Sequence, residues 1–92
     1  MIEKFLHKGL ERFFCIGSKK GLQPKHAQKI SDILDLLDAA NSVEDMNFPG
    51  SKLHPLKGDK KGYWAISVSG NWRIIFQFKD GNAYNVSYID YH

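Results

Sequence analysis

Cysteine is nearly absent from this chain, and long apolar runs are missing altogether. Its 92 residues include a single cysteine, which cannot form an internal disulfide. This excludes a disulfide-stapled secreted scaffold and suits a reducing compartment, so a cytoplasmic location is expected. No apolar run approaches the roughly 18 residues that span a bilayer. The first stretch, MIEKFLHKG, lacks the apolar core of a secretion signal, and we expect no membrane partner.

The remaining composition is sufficient for one hydrophobic core. Hydrophobic residues make up 42% of the chain and aromatic residues 13%, which argues against disorder. A second core could not be built from the remainder, so residues 1–92 are predicted to form a single domain. Cys15 lies in the apolar run FFCIG, which predicts a buried structural thiol.

Charge is unevenly distributed along the chain, although the net charge is only +3. Residues 30–51 contain five acidic residues and no Lys or Arg, whereas residues 52–79 contain six basic residues and one acid. A basic face favours a polyanion as partner, because neutralising phosphates releases counterions. Solvated lysines that keep a small domain soluble explain the same pattern, so charge alone leaves both readings open.

The first half of the chain has helical periodicity after a short initial strand, MIEKF. One helix is predicted to end at Gly17, and a second is predicted to begin at Pro24. The second helix has one apolar stripe and a solvated acidic face, and SVED at 42–45 indicates a capped turn. His7 and His26 are assigned to the surface. The stripe consists of Ile30, Ile33, Leu34 and Leu37.

The second half has the period of β-strands. YWAISVS, WRIIFQF and AYNVSYIDY are predicted strands, separated by Gly-Asn at 70–71 and Asp-Gly at 80–81. These dipeptides tolerate the positive φ angles of tight hairpins, so the strands form an antiparallel meander. A meander after a helical half indicates the α+β class, with the helices packed on one face of the sheet. Trp64 and Trp72 are predicted to face the core.

Strand alternation also predicts where polar residues lie. Arg73 is on the opposite face from Trp72, and Asp90 and His92 project to one side of the last strand while Tyr91 projects to the other. The connection at 47–62 is rich in Pro, Gly and Lys and is long for a compact domain, which is typical of a functional loop. It is expected to carry His54 and Lys57 over the sheet.

One block of the sequence is specific enough to indicate a family. KLHPLKGDKKGYWAISVSGNWRIIFQF, followed by DGNAY and the terminal DYH, resembles the HigB toxins of bacterial toxin–antitoxin pairs. These toxins belong to the RelE/ParE superfamily, and the resemblance covers essentially the whole chain, although the helical half is generic. It implies a microbial ribonuclease type of fold, with helices on one side of a curved antiparallel sheet and a concave active face.

The resemblance also implies an activity, partners and site residues. The activity is ribosome-dependent cleavage of mRNA codons in the A site of the 70S ribosome, beside 16S rRNA, and it needs no cofactor. A HigA-type antitoxin is the implied neutralising partner. The active-site positions of the family match His54, Lys57, Arg73, Asp90, Tyr91 and His92. The predicted RNA-binding set is completed by Lys52, Lys60 and Lys61.

The same residues suit RNA cleavage on chemical grounds. RNA supplies its own nucleophile, the ribose 2′-OH, so the protein needs a base, an acid and cations. A histidine side chain suits both proton transfers, because an unperturbed pKa near 6.5 leaves both forms available at neutral pH. His54 and His92 are the predicted acid–base pair, in an order that remains open, with Asp90 in support. Arg73 and Lys57 are predicted to stabilise charge on the phosphorane.

Other readings of these residues are weaker but remain open. Tyr91 is predicted to stack on a base or to hydrogen-bond the scissile group. Two histidines and Asp90 could instead hold a zinc ion, although their spacing is no recognised metal signature. A gyrase-poisoning toxin like ParE would use the same scaffold and would leave the His, Asp and Tyr residues without a purpose. A non-catalytic RNA-binding module would need only basic charge and aromatic rings.

Overall fold

Two helices pack on one side of a four-stranded antiparallel sheet in the computed structural model, which describes residues 1–91. The strands lie side by side in the order in which they occur along the chain. This confirms the predicted α+β class and the predicted meander. The elements are α1 (Lys8–Ile16), α2 (Ala27–Ala39), β1 (His54–Pro55), β2 (Trp64–Ser69), β3 (Trp72–Lys79) and β4 (Asn82–Asp90).

Both helices are delimited by local interactions. His7 caps α1, because its Nδ1 accepts a hydrogen bond from the backbone N–H of Leu10 at 3.0 Å. Gly17 ends α1 in the left-handed conformation, with φ of 76°, as the sequence predicts. A 3₁₀ turn at Pro24–His26 leads into α2, and the predicted capping box of Ser42 precedes a further 3₁₀ turn. No helix in the described part of the chain is long and apolar enough to cross a membrane.

The first residues of the chain lie beside β4. Ile2 and Phe5 form isolated parallel bridges with Ala83 and Val86, so the predicted initial strand is present only as two bridges. The backbone N–H of Ile2 also donates to the carboxylate of Asp38 on α2 at 2.9 Å. Asp38 is therefore half-buried and joins α2 to the edge of the sheet, whereas the sequence predicted a solvated side chain.

The hydrophobic core fills the space between the helices and one face of the sheet, which we call the helix face. It contains the predicted stripe of α2 together with Leu10 of α1. Each fully buried aliphatic or aromatic side chain contributes about 1.5–3 kcal/mol, so this core holds the helices on the sheet. The buried strand residues in the core are Ile66, Val68, Ile74, Phe76, Ala83, Val86 and Tyr88.

The opposite face of the sheet, which we call the open face, carries a second and smaller apolar cluster. Its buried members are Leu56, Ala65 and Ile75, with Tyr63 and Ile89 packed against them. Leu56 comes from the connection that precedes β2, so its burial ties that segment to the sheet. Arg73 and Gln77 flank Ile75 on β3, and strand alternation places both of them on the open face.

A bulge in β4 sets which side chains face outward near the far end of the sheet. The β3–β4 register shifts between Ile75 and Gln77, and Asn85 adopts a φ of 54° at the shift. Asparagine tolerates this left-handed conformation better than most residues. The extra residue keeps Val86 in the core while Tyr84 lies opposite Gln77 on the open face.

Two further expectations about single side chains are wrong. Cys15 is exposed rather than buried, because it lies about 140° around α1 from the buried Leu10. His26 is only 3% exposed, because the 3₁₀ turn that holds it packs its ring against Trp72 and Tyr88. Neither fact is visible in the local sequence, since both depend on which side of an element meets the sheet.

The connection at 47–62 differs from the predicted loop. Part of it forms β1, where His54 pairs with Ala65 and Pro55 with Trp64. His54 is therefore fixed at the edge of the sheet by backbone pairing and is not carried above the sheet by a loop. A 3₁₀ turn at Gly58–Lys60 follows and leads into β2.

Candidate active site

His54 is held in a defined tautomer at the edge of the sheet. Its Nδ1 lies 2.8 Å from the backbone carbonyl oxygen of Lys52. A carbonyl oxygen only accepts hydrogen bonds, so Nδ1 must carry the proton of this bond. In the neutral ring Nε2 then has the lone pair, and the half-buried side chain can accept a proton there. The contact thus fixes which ring nitrogen of His54 carries the lone pair.

Arg73 occupies the next position toward the centre of the open face. It lies opposite Ser67 on β2 and opposite Ile89 on β4. Its Nη1 donates to the carbonyl oxygen of Gly70 at 2.6 Å and to that of Trp72 at 3.0 Å. These bonds tether one branch of the guanidinium at the β2–β3 turn. The Nη2 and Nε donors of the planar fork are the groups that would meet a phosphate.

The end of β4 separates Asp90 from Tyr91. Asp90 lies opposite Trp72 and so has a helix-face position. The backbone N–H of Tyr91 donates to the carbonyl oxygen of Asn71 at 2.7 Å, which extends the ladder and gives Tyr91 an open-face position. Asp90 and Tyr91 are therefore on opposite sides, as alternation predicts, and Arg73 shares its side with Tyr91. His92, the other predicted acid–base residue, lies outside the described residues.

The three open-face positions follow one diagonal across the sheet. His54 is on β1. Arg73 is on β3, two strands away and shifted by two residues along the strand direction, and Tyr91 follows β4, one strand further and shifted by two more residues. Strand spacing and rise place the Cα atoms of His54 and Arg73 about 12 Å apart, and those of Arg73 and Tyr91 about 8 Å apart. Arg73 is thus the central cation, between a histidine and an aromatic ring.

The predicted RNA-binding lysines lie in the chain segments on either side of β1. Lys52 and Lys61 are exposed, and Lys60 is half-buried in the 3₁₀ turn. Lys57 is exposed immediately before that turn, three residues after His54. Because Leu56 is buried on the sheet beside it, Lys57 is attached to an anchored segment. Lys52, Lys57, Lys60 and Lys61 are therefore on the chain segments that flank β1 and His54.

Asp90 does not lie beside His54. The two residues occupy opposite faces of the sheet and are on its two outer strands, β1 and β4. Asp90 therefore does not orient the His54 ring, and a zinc site that needs both side chains is contradicted by this separation. Among residues 1–91, no group of three or more His, Cys, Asp or Glu side chains is arranged to hold a metal ion.

A buried polar cluster supports the end of β4, and the sequence did not reveal it. The Nδ1 of His26 and the hydroxyl of Tyr88 are 2.6 Å apart, and both residues are at most 4% exposed. The Tyr88 ring stacks on Trp72 with centroids 4.5 Å apart. The partners of this hydrogen bond are 62 residues apart in the chain, so only the fold could join them.

Burial shifts the pKa of both hydrogen-bonded side chains of this cluster. Burial lowers the pKa of His26, and the nearby charge of Lys25 lowers it further. Burial raises the pKa of Tyr88, a backbone hydrogen bond from Gln23 opposes the rise, and the charge of Asp90 adds to it. Both side chains are therefore neutral near pH 7 and hold β4 in place without a buried charge.

The chain matches known proteins over its full length. A family model described as "RelE-like toxin of type II toxin-antitoxin system HigB" matches residues 3–92. The chain is 47% identical over 92 residues to Endoribonuclease HigB of Proteus vulgaris, with both proteins covered completely. It is 35% identical over 94 aligned residues to Toxin HigB-1 of Vibrio cholerae serotype O1, covering all of this chain and 98% of that protein.

Proposed function

Because this chain belongs to the HigB-like family of RelE-like toxins of type II toxin–antitoxin systems, we propose that it is an endoribonuclease. Its substrate is mRNA in the A site of the ribosome, and cutting it stops translation. The observation that carries this proposal is the open-face diagonal, where Nε2 of His54 is prepared for proton transfer and Arg73 offers a phosphate-binding fork. A type II toxin also implies an antitoxin, here a HigA-type protein.

Cleavage proceeds by attack of the ribose 2′ oxygen on the adjacent phosphorus. One histidine removes the 2′ proton, the new O–P bond forms, and the bond from phosphorus to the 5′ oxygen breaks. A second, protonated histidine donates to the departing 5′ oxygen, which leaves a 2′,3′-cyclic phosphate and a 5′-hydroxyl. His54 takes one of these roles and His92 the other, and each supplies about 10²- to 10⁴-fold in rate.

The cations stabilise the phosphorane formed in this step. Arg73 is tethered through Nη1 and offers its remaining donors to the equatorial phosphate oxygens. Lys57 adds a point charge from the anchored segment beside His54. Tyr91 has its ring at the far end of the diagonal, where it stacks on a neighbouring base.

The ribosome supplies the enclosure of the RNA strand that an exposed sheet face lacks. His54 and Arg73 are only half-buried and Tyr91 is 38% exposed, so the face does not enclose a flexible RNA strand. Ribosomal RNA around the A-site codon fixes the geometry of attack and thereby lowers its entropic cost. We therefore expect feeble cleavage of naked RNA. The antitoxin acts by covering the basic face or by keeping it away from the ribosome.

The test is 5′-end mapping of one mRNA, either naked or loaded into ribosomes with an empty A site. Wild type, a variant lacking only His92 and an Arg73→Ala variant are compared. Cleavage inside the A-site codon, seen only on ribosomes and lost in both variants, is the expected result. If folded wild type leaves both RNAs intact, the nuclease proposal fails, and poisoning of gyrase by a ParE-like mechanism is the activity to assay next.

A further inference from the structure

A groove lies on the open face, at the other end of β3 from Arg73. It has a volume of about 640 Å³ and is lined by residues from four segments, which include the N-terminal stretch and the end of β3. The residues that matter here are Lys4, Gln77, Lys79, Asp80, Tyr84 and Asn85. None of them belongs to the candidate active site. Pockets of 300–1,000 Å³ are of the size that holds small ligands.

A fixed pair of amides forms the polar part of this groove. The Nδ2 of Asn85 donates to the Oε1 of Gln77 at 2.5 Å, and the left-handed bulge at Asn85 sets its direction. This bond leaves an N–H donor on Gln77 and a carbonyl acceptor on Asn85. A donor and an acceptor side by side match the hydrogen-bonding edge of a nucleobase.

Cations and an aromatic ring complete the set. Lys4 and Lys79 are exposed and line the groove together with one carboxylate, that of Asp80. Tyr84 is half-buried and lies opposite Gln77, so its ring is held by the sheet. One nucleotide could contact all of these groups: its phosphate would lie between the two lysines, its base would stack on the Tyr84 ring, and the edge of the base would hydrogen-bond to the two amides.

The groove is also in line with the candidate active site. Gln77 and Arg73 are on the same strand and the same face, about 13 Å apart along β3. The apolar cluster of Leu56, Ala65 and Ile75 lies between them. An extended RNA strand whose phosphate is held at Arg73 would reach the groove within a few nucleotides.

We propose that this groove is a second RNA-binding subsite, which holds a nucleotide that flanks the scissile one. The inference rests on the proposed function, because it extends the path of the same RNA. An acidic protein segment would use Lys4 and Lys79 but would have no need for the ring of Tyr84 or for the amide pair. The combination of all three therefore favours RNA over a protein partner.

The test uses a fluorescein-labelled 2′-O-methyl oligoribonucleotide, which cannot be cut by 2′ attack. Binding to wild type, Tyr84→Leu and Lys79→Gln is measured by anisotropy across a range of salt concentrations, with Lys29→Gln on exposed α2 as the matched control. We expect Tyr84→Leu to raise Kd about fivefold or more. Lys79→Gln should reduce the slope of log Kd against log salt by about 0.7. Lys29→Gln should bind as wild type does.

Several results would overturn the subsite. These are absence of wild-type binding at low salt, wild-type affinity in both groove variants, or an equal loss in Lys29→Gln. A labelled Glu-rich peptide that loses affinity with Tyr84→Leu while the RNA does not would assign the groove to a protein. Thermal melts check folding, and Lys79→Gln carries the test alone if Tyr84→Leu unfolds, since Lys79 is exposed.

The ribosomal cleavage assay keeps the two proposals apart. Wild type that binds the oligonucleotide through the groove but never cuts mRNA would refute the proposed function and leave the groove standing. Wild type that cuts A-site codons, with unchanged oligonucleotide affinity in Tyr84→Leu and Lys79→Gln, would refute the groove alone.

Discussion

His54→Asn is the substitution that tests the candidate active site most directly. Asparagine has an amide that can still donate to the carbonyl oxygen of Lys52, so the bond between this ring and Lys52 has a replacement. It has no group that accepts a proton near neutral pH. The variant therefore keeps the local structure of β1 and removes the chemistry.

The expected magnitudes differ sharply between activity and stability. Loss of a placed acid or base lowers the rate about 10²- to 10⁴-fold, which corresponds to about 3–5 kcal/mol in the barrier. Within residues 1–91, the half-buried His54 side chain makes one hydrogen bond, of 2.8 Å, so folding should lose about 1 kcal/mol at most. For a domain of this length, that loss lowers Tm by about 4–8 °C.

The assay is single-turnover cleavage of mRNA on ribosomes, with a thermal melt of each variant. His7→Asn is the matched control, because asparagine is among the preferred N-cap residues and should preserve the cap of α1. A loss of less than about tenfold in His54→Asn would rule out proton transfer by this residue. So would an equally large loss in His7→Asn, since His7 caps α1 and lies outside the candidate site.

Three further predictions follow from the structure. Tyr88→Phe should lower the free energy of unfolding, measured in urea, by about 1–3 kcal/mol, because it leaves the buried Nδ1 of His26 unpaired. Tyr63→Phe on the open face should lower it less, and equal losses in the two variants would contradict this prediction. Because burial lowers the pKa of His26, the unfolded chain binds that proton at higher pH than the folded chain, so this contribution to stability is present above pH ~6.5 and is lost below it. Urea midpoints should therefore fall more steeply from pH 7 to 5 in wild type than in His26→Gln, and parallel curves would disprove the assignment. Arg73→Lys should lower ribosomal cleavage about 10²-fold or more despite keeping the charge, because an ammonium lacks the planar fork, and near-wild-type activity would show that charge alone suffices.

Local sequence patterns were sufficient for most of the fold. Apolar residues at helical spacing defined both helices, and the left-handed Gly17 ended α1 where predicted. Alternating residues defined β2, β3 and β4, and the turns at 70–71 and 80–81 confirmed the meander. These features depend on residues that are close together in the chain, so they can be predicted from the sequence.

β1 could not be recognised in the same way. It has only two residues, one of them Pro55, and exists because the edge of β2 offers backbone partners. The exposure of Cys15 and the burial of His26 likewise depended on which surface each element turned toward the sheet. No local pattern carries that information.

The candidate site, too, was predictable from the sequence only in part. The residue types that suit RNA cleavage are present in the sequence, and strand alternation correctly separated Tyr91 from Asp90. Register then decided which of them meet: pairing of β3 with β4 placed Arg73 opposite Ile89, on the face of Tyr91, and left Asp90 on the helix face, far from His54. Cross-strand register is set by packing of the whole sheet on its core. The residue types of the site could therefore be predicted from the sequence, whereas which of them lie close together was decided by the tertiary structure.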